Sequence, residues 1–314
     1  MLLPAENFEK LWDEFRSEAE IKAASEFEIN VAAIRDGLIA GAKLPIFGNR
    51  KFEIREGELT IVAGASGHGK SLITGQIALE FAKSGKKSCL MSFEMMPART
   101  LDRMISQCVG VSADTETAVQ ALREFGKKIY ILDKVGSVRP QFVYGAIISA
   151  ARDYDCQQIF IDNLMKIVDE YGDAGMNGTK RFVATLCELA KALNIHIWLI
   201  HHVRKSEKET DKIDKYSIRG ATVVTDQADN ILILQRNIAK EQKFEDGFDP
   251  KVDQDEPDAV LTVAKQRNGA WQGKQLLWFN EEHLSYCQTA TRIPEVFISQ
   301  SNGGRSEKTN NWYD

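Results

Sequence analysis

From about residue 55 to residue 280, short apolar runs of strand length alternate with longer stretches of helical periodicity. The runs are LTIVAG (59–64), CLMSF (89–93), KIYIL (128–132), QIFID (158–162), IHIWLI (195–200) and NILIL (230–234). Helical patterns lie between them at about 70–85, 97–108, 116–126, 140–153 and 178–193. Strands apolar on both faces and separated by helices predict an α/β fold, a mainly parallel twisted sheet covered by helices on both sides. After Asn230 the rhythm becomes that of a hairpin: AVLTVAK (259–265) and KQLLWF (274–279) are expected as an antiparallel C-terminal edge.

Outside this alternation the chain is patterned differently. Phe8, Leu11, Trp12 and Phe15 form an i, i+3, i+4, i+7 stripe across residues 5–20, the mark of an amphipathic helix. A second helical pattern covers 28–40 and ends in a Gly37–Gly41 turn. The acidic stretch 240–258 reads as a surface loop, and the polar residues from 289 read as a flexible tail. The expected organisation is a helical arm over 1–35, one α/β domain over 36–288 and a tail over 289–314.

The whole chain, 314 residues with a formal charge of −5, looks too acidic for a partner made of phosphates. Resolved by segment, the acidity is local. Residues 1–28 and residues 240–258 each carry three basic and eight acidic side chains, so the remainder has a charge of +5. Nothing resembles an 18-residue apolar span or a signal peptide, which points to a cytoplasmic protein without a membrane partner. Cys89, Cys108, Cys156, Cys187 and Cys287 are odd in number and never spaced as CxxC, so core thiols are expected in place of disulfides or a zinc site.

The strongest chemistry lies at Gly64-Ala65-Ser66-Gly67-His68-Gly69-Lys70-Ser71, a complete GxxxxGK[ST] between a predicted strand and a predicted helix. Such a turn aims successive backbone N–H groups at phosphate oxygens, with the helix N-terminus behind them. Lys70 is placed to reach the β- and γ-phosphates and the Ser71 hydroxyl to ligate Mg²⁺. Hydrolysis also needs a carboxylate near the metal and a base for water. Asp162 ends the strand QIFID, and Glu94 follows the strand after the P-loop helix; each stands where open α/β sheets bind ligands, although Glu94 also fits a surface acid at a helix start.

The P-loop, SFEM, IFIDN, LIHHVRK, IRGATVVTDQADNILIL and AKQRNG (264–269), in that order, resemble the RecA-like motor domain of DnaB-type ring-shaped replicative helicases, the group that includes phage primase-helicases and Twinkle. The resemblance covers about 35–280, with Ala221 where the family has Ser. It implies a RecA-like P-loop NTPase that forms a hexameric ring, translocates on single-stranded DNA and unwinds duplex with ATP or dTTP and Mg²⁺. Glu94 then becomes the carboxylate that orients water, Asp162 the Walker B residue, and His202 the sensor of the γ-phosphate. Strand alternation separates His202 from His201, which argues against a metal shared by His196, His201 and His202.

The resemblance further implies that Lys265 and Arg267, two apart and on one face, reach the γ-phosphate of a neighbouring subunit; on residues alone they are also compatible with a solvated edge. DNA contact is implied for loops after Asp162 and His202, bringing in Lys166, Lys180, Arg181, Arg204, Lys205 and Arg219. A primase, polymerase or single-strand binding protein is the expected class of further partner; the Asn311–Asp314 end, with two aromatics on a polar tail, fits a docking peptide for it and equally an inert tail. The 35 residues ahead of the motor are fewer than a helical collar needs, which suits a phage helicase acting in a host cytoplasm. A RecA/RadA-like recombinase, another RecA-fold ring ATPase such as a circadian-clock type, and a non-enzymatic loader or accessory module are the alternatives.

Overall fold

The computed structural model describes residues 41–48, 52–167, 176–203, 225–245, 255–269 and 271–297. The predicted helices at 5–20 and 28–40, the residues Arg204, Lys205 and Arg219, and the chain end lie outside the described residues. In chain order the regular elements are β1 (Leu59–Gly64), α1 (Lys70–Lys83), β2 (Ser88–Ser92), α2 (Pro97–Val109), α3 (Thr115–Phe125), β3 (Ile129–Ile131), α4 (Pro140–Arg152), β4 (Gln158–Asp162), α5 (Met176–Leu193), β5 (His196–His202), β6 (Asn230–Arg236), α6 (Ile238–Glu245), β7 (Ala259–Gln266), β8 (Gly273–Asn280) and β9 (Ser285–Cys287).

The strands form one sheet in the order β3-β2-β4-β5-β1-β6-β7-β8-β9. The six strands from β3 to β6 pair in parallel and β7, β8 and β9 pair antiparallel, the mixed sheet that the sequence pattern predicts. Every residue of β1 is buried because helices cover both faces. Leu59, Ile61 and Ala63 point to the layer of α4 and α5, with Val143, Ile147, Phe182 and Leu186. Val62 points the other way, toward Ile73, Ile77 and Phe81 of α1, Met104 of α2 and Phe125 of α3. The strand period of two thus supplies both cores from one strand.

Two segments depart from the sequence expectation. The loop expected from residue 240 opens as the helix α6, without an apolar stripe to announce it. It is anchored by Lys240, whose side chain is 2% exposed and whose ammonium donates to Asp258 at 2.7 Å and to the Glu256 carbonyl at 2.5 Å. Downstream, residues 289–297 form no helix or strand, yet Phe297 is buried, Arg292 pairs with Asp258 at 3.1 Å and Glu295 pairs with Lys83 at 2.5 Å. Isolated ionic anchors of this kind leave no periodicity to read.

The second core centres on Trp198 of β5, fully buried, stacked on Phe160 at 5.5 Å between ring centroids and donating from Nε1 to Gln158 at 2.9 Å. Trp198→Ala is expected to destabilise the fold by about 3–5 kcal/mol through the cavity and the stranded Gln158 acceptor. Urea unfolding monitored by circular dichroism checks it; a loss under about 1 kcal/mol would show that the layer repacks freely.

Candidate nucleotide site

β1 runs through the middle of the sheet and ends at Gly64, where the chain turns into α1. Two glycines of this turn are forced. A Cβ on Gly64 would stand 2.5 Å from the Leu234 carbonyl oxygen of β6, and Gly69 has φ of +82° with the Tyr286 hydroxyl filling the space a side chain would need. Register then gathers the other groups. Gly64 lies opposite His202 at the end of β5, and Ser92 at the end of β2 lies opposite Asp162 at the end of β4. Lys70, Ser71, Glu94, Asp162 and His202 therefore meet at the carboxyl ends of the parallel strands.

Lys70 is the centre of this cluster. Its ammonium donates to the carbonyls of Gly64 at 2.9 Å and Ala65 at 2.7 Å and stands 3.3 Å from His202 Nδ1. Burial lowers its pKa to about 8, against the opposing pull of the Asp162 and Glu94 carboxylates. The imidazole of His202 is oriented by Asn163, whose Oδ1 accepts from the Met165 N–H at 3.0 Å and whose Nδ2 therefore faces His202 Nε2 at 2.9 Å. Both ring nitrogens thus face nitrogen donors, Nδ1 the Lys70 ammonium and Nε2 the Asn163 amide. The Lys70 ammonium and the His202 ring stand side by side at the strand ends. Burial and the Lys70 charge also lower the His202 pKa, against the pull of Glu94 and Asp162, which favours the neutral imidazole.

The carboxylates supply the opposite demand. Ser71 Oγ donates to Asp162 Oδ2 at 2.6 Å, and the Asp162 pKa is raised, first by burial and then by the Glu94 charge, against the Ser71 hydrogen bond. Glu94 is exposed, in the turn after β2, close enough that its charge acts on Lys70, Asp162 and His202. A hydroxyl and a half-buried carboxylate in contact, with a second carboxylate near, are the oxygen donors that suit Mg²⁺ completed by phosphates and water. Among the described residues no group of three or more His, Cys, Asp or Glu could hold a metal by itself, and His196 is spent on the Arg55 carbonyl and Thr60.

Lys265 and Arg267 lie elsewhere. They stand at the end of β7 where it pairs with the start of β6, and Asn230 opposite Gln266 marks the level. The start of β6 is level with the start of β1, so these cations are one length of β1, ~17 Å, from the P-loop of the same chain. Lys265 donates to the carbonyls of Thr225 and Asp226 at 2.8 and 3.1 Å. Arg267 donates to those of Asp226 and Gln227 at 3.1 and 3.3 Å and to Asp229 Oδ1 at 2.8 Å. The two side chains converge on one patch, as their spacing predicts, at the end of the sheet remote from their own P-loop.

Of the basic residues expected at DNA, Lys166 is half-buried in a short turn just after Asp162, and Lys180 and Arg181 are exposed in the first turns of α5. Sequence reasoning missed three features. Asn163 was visible only as the residue after Asp162. Asp229 stood inside the quoted QADN segment without a role. A cleft of ≈ 930 Å³ opens beside the P-loop, lined by Gly67, Gly69, Leu72, Arg236, Phe279 and Tyr286 among others, and is assembled from segments more than 200 residues apart. At its rim Arg236 donates to both oxygens of Glu241, at 2.9 and 2.7 Å, and to the Gly67 carbonyl at 3.2 Å.

Residues 52–287 match the family described as the DnaB-like helicase C terminal domain. The chain belongs to that family. The DnaB-like domain also matches solved structures in fold. It superposes on a solved ATPase domain with a TM-score of 0.70 at 15% identity, over 85% of this chain and 99% of that one. A DnaB-like replicative helicase, solved with a view to its interactions with primase, gives 0.67 at 16% identity over 90% and 72%. Among curated proteins, the DNA repair protein RadA of Campylobacter jejuni is 25% identical over 197 residues, 62% of this chain. This DnaB-like chain spans 37% of the length of that relative.

The buried ammonium gives the site a proton-linked signature. With Lys70 lowered to about 8, an arriving polyphosphate raises its pKa again, so above that pH binding takes up a proton and affinity falls as pH rises. Calorimetric titration of a nonhydrolysable ATP analogue at about pH 8.5, in two buffers of different ionisation heat, is expected to show net proton uptake that shrinks as the pH is lowered. No uptake at that pH would place the phosphates away from Lys70.

Proposed function

We propose that the chain is the motor of a replicative DNA helicase: a homo-hexameric ring that hydrolyses ATP or dTTP with Mg²⁺ to move along single-stranded DNA and unwind duplex in the cytoplasm. The observation that carries this reading is the division of chemistry between the two ends of the sheet. Lys70, Ser71, Glu94, Asp162 and His202 gather at one end, while Lys265 and Arg267 converge at the other, out of reach of their own P-loop. Such a chain is complete only when another copy places its cations against the bound nucleotide.

In this reading the backbone N–H groups of residues 65–70 and the α1 N-terminus hold the phosphates, and the neighbouring cleft takes the base and sugar. Lys70 donates to the terminal phosphate, and His202 beside it is the sensor of that phosphate. Glu94 orients water toward the γ-phosphorus and takes its proton as the bond to the β-phosphate oxygen breaks. Ser71 and Asp162 would hold Mg²⁺, which neutralises phosphate charge. Arg267 and Lys265 of the adjacent subunit stabilise charge on the departing oxygens.

Lys166, Lys180 and Arg181, with Arg204, Lys205 and Arg219 outside the described residues, supply phosphate contacts to the DNA strand. Primase, the partner of one structural relative, is the first candidate for a further partner, ahead of a polymerase or single-strand binding protein. The likeness to RadA supports a second reading, a DNA-repair ATPase on the same fold. Unwinding of a forked duplex supports the helicase; strand exchange without unwinding supports the other.

Glu94→Gln is expected to keep nucleotide affinity and lower single-stranded-DNA-stimulated hydrolysis by about 10²–10⁴-fold. Phosphate release at low salt, with and without single-stranded DNA, is the measurement. An active Glu94→Gln enzyme would remove Glu94 from the chemistry, and hydrolysis indifferent to DNA would remove the motor.

A further inference from the structure

We infer that Asp229 is a positioning residue for Arg267: it fixes the guanidinium to the first residue of the P-loop strand and so aims it at the nucleotide of the adjacent subunit. The inference rests on the trans placement of Arg267 proposed above.

Four hydrogen bonds make Asp229 a clip between two segments. Its N–H donates to the Leu59 carbonyl at 3.0 Å, and its Oδ2 accepts from the Leu59 N–H at 3.0 Å. Its carbonyl accepts from the Arg267 N–H at 2.9 Å, and its Oδ1 accepts from Arg267 Nη1 at 2.8 Å. Backbone and side chain of one residue therefore tie Leu59, the start of β1, to both the backbone and the guanidinium of Arg267. The next residue along repeats the pattern. Asn230 and Asn268 donate to the two oxygens of Glu58, at 2.8 and 2.7 Å.

Exposure separates the two partners. The Asp229 side chain is 5% exposed, that of Arg267 43%. The carboxylate is held inside while the arginine side chain bonded to it stays partly open to solvent. Arg267 spends three hydrogen bonds on Asp229 and on the carbonyls of residues 226 and 227, all through Nη1 and Nη2. A guanidinium has five N–H groups, so donors remain for a phosphate while the anchors are kept. A flexible arginine at the end of a strand would sample many directions; one bonded on its inner edge presents its remaining donors in a fixed direction.

Neutralising the carboxylate tests this. In Asp229→Asn one of the two acceptor oxygens becomes an NH₂ group, so either Leu59 N–H or Arg267 Nη1 faces a donor. Mixed rings locate the effect. Arg267→Ala subunits keep a complete P-loop and lack the cation, whereas Lys70→Ala subunits lack turnover and keep it. Lys70→Ala subunits are expected to restore DNA-stimulated hydrolysis to Arg267→Ala subunits, and Lys70→Ala/Asp229→Asn subunits to restore it about 10-fold less.

Asp229→Asn placed in the Arg267→Ala subunits should add no further loss, because the group it positions is already gone. Native mass spectrometry and thermal melts confirm that each ring is assembled and folded. Asp229→Glu, which keeps the charge and displaces it by one methylene, serves if the Asn variant does not assemble; weakened rescue is again expected. Equal rescue with and without the Asp229 substitution, or an equal loss whichever subunit carries it, overturns the positioning role while leaving the trans reading intact. Absence of rescue by Lys70→Ala subunits with Asp229 unchanged overturns the trans reading itself, and this inference with it.

Discussion

Removing an ammonium from water costs several kcal/mol unless fixed dipoles or charges replace the lost hydration. At Lys70 the replacements are two carbonyls of its own turn and the field of two carboxylates on neighbouring strands, and they are not enough to hold its pKa at the ordinary value. This shortfall organises the nucleotide end of the molecule. Asp162 and Glu94 lie at the ends of adjacent strands with their charges acting on Lys70, and the Lys70 charge in turn helps lower the His202 pKa. Each charge is balanced only in part by the others, which suits the site to a polyanion and a divalent cation together.

The sheet carries this site as a rigid plate, packed on both faces. Rigidity has a consequence for mechanism. Parallel pairing keeps the starts of β1 and β6 level with each other and the end of β1 ~17 Å away, so no side-chain rotation brings Arg267 to the P-loop of its own chain. In the function proposed above, a fold that separates the P-loop from Arg267 by a stiff strand makes turnover depend on how subunits are arranged. Charge segregation fits the same logic, since the acid-rich stretches at 1–28 and 240–258 leave the rest of the chain basic.

The strands and helices were legible because they are long, apolar and regularly spaced: β1, β4 and the helix from Lys70 start where the pattern starts them. At the nucleotide end the structure brings together residues that the sequence had singled out, Lys70 and Ser71 by the P-loop, Asp162 by its strand end and His202 by the family resemblance. What was hidden depends on contacts between distant segments. α6 is anchored by the buried Lys240, the cleft joins residues from Gly67 to Arg292, and Asn163 ties the Met165 backbone to the His202 ring. None of these leaves a period or a local spacing.

AKQRNG shows both kinds of information in six letters. Its resemblance to a family motif pointed to the two cations, but the structure gives the intervening residues work of another sort. Gln266 accepts from Glu53 N–H at 3.2 Å and donates to the Trp271 carbonyl at 3.0 Å, Asn268 donates to Glu58, and Gly269 lies against the Gln266 amide where no Cβ fits. Lys265 and Arg267 are the members with charge to offer, and their neighbours hold the backbone that offers it. A motif near-identical over every letter is thus better understood as a small rigid mount than as a set of reacting groups, and its precision lies in the anchors.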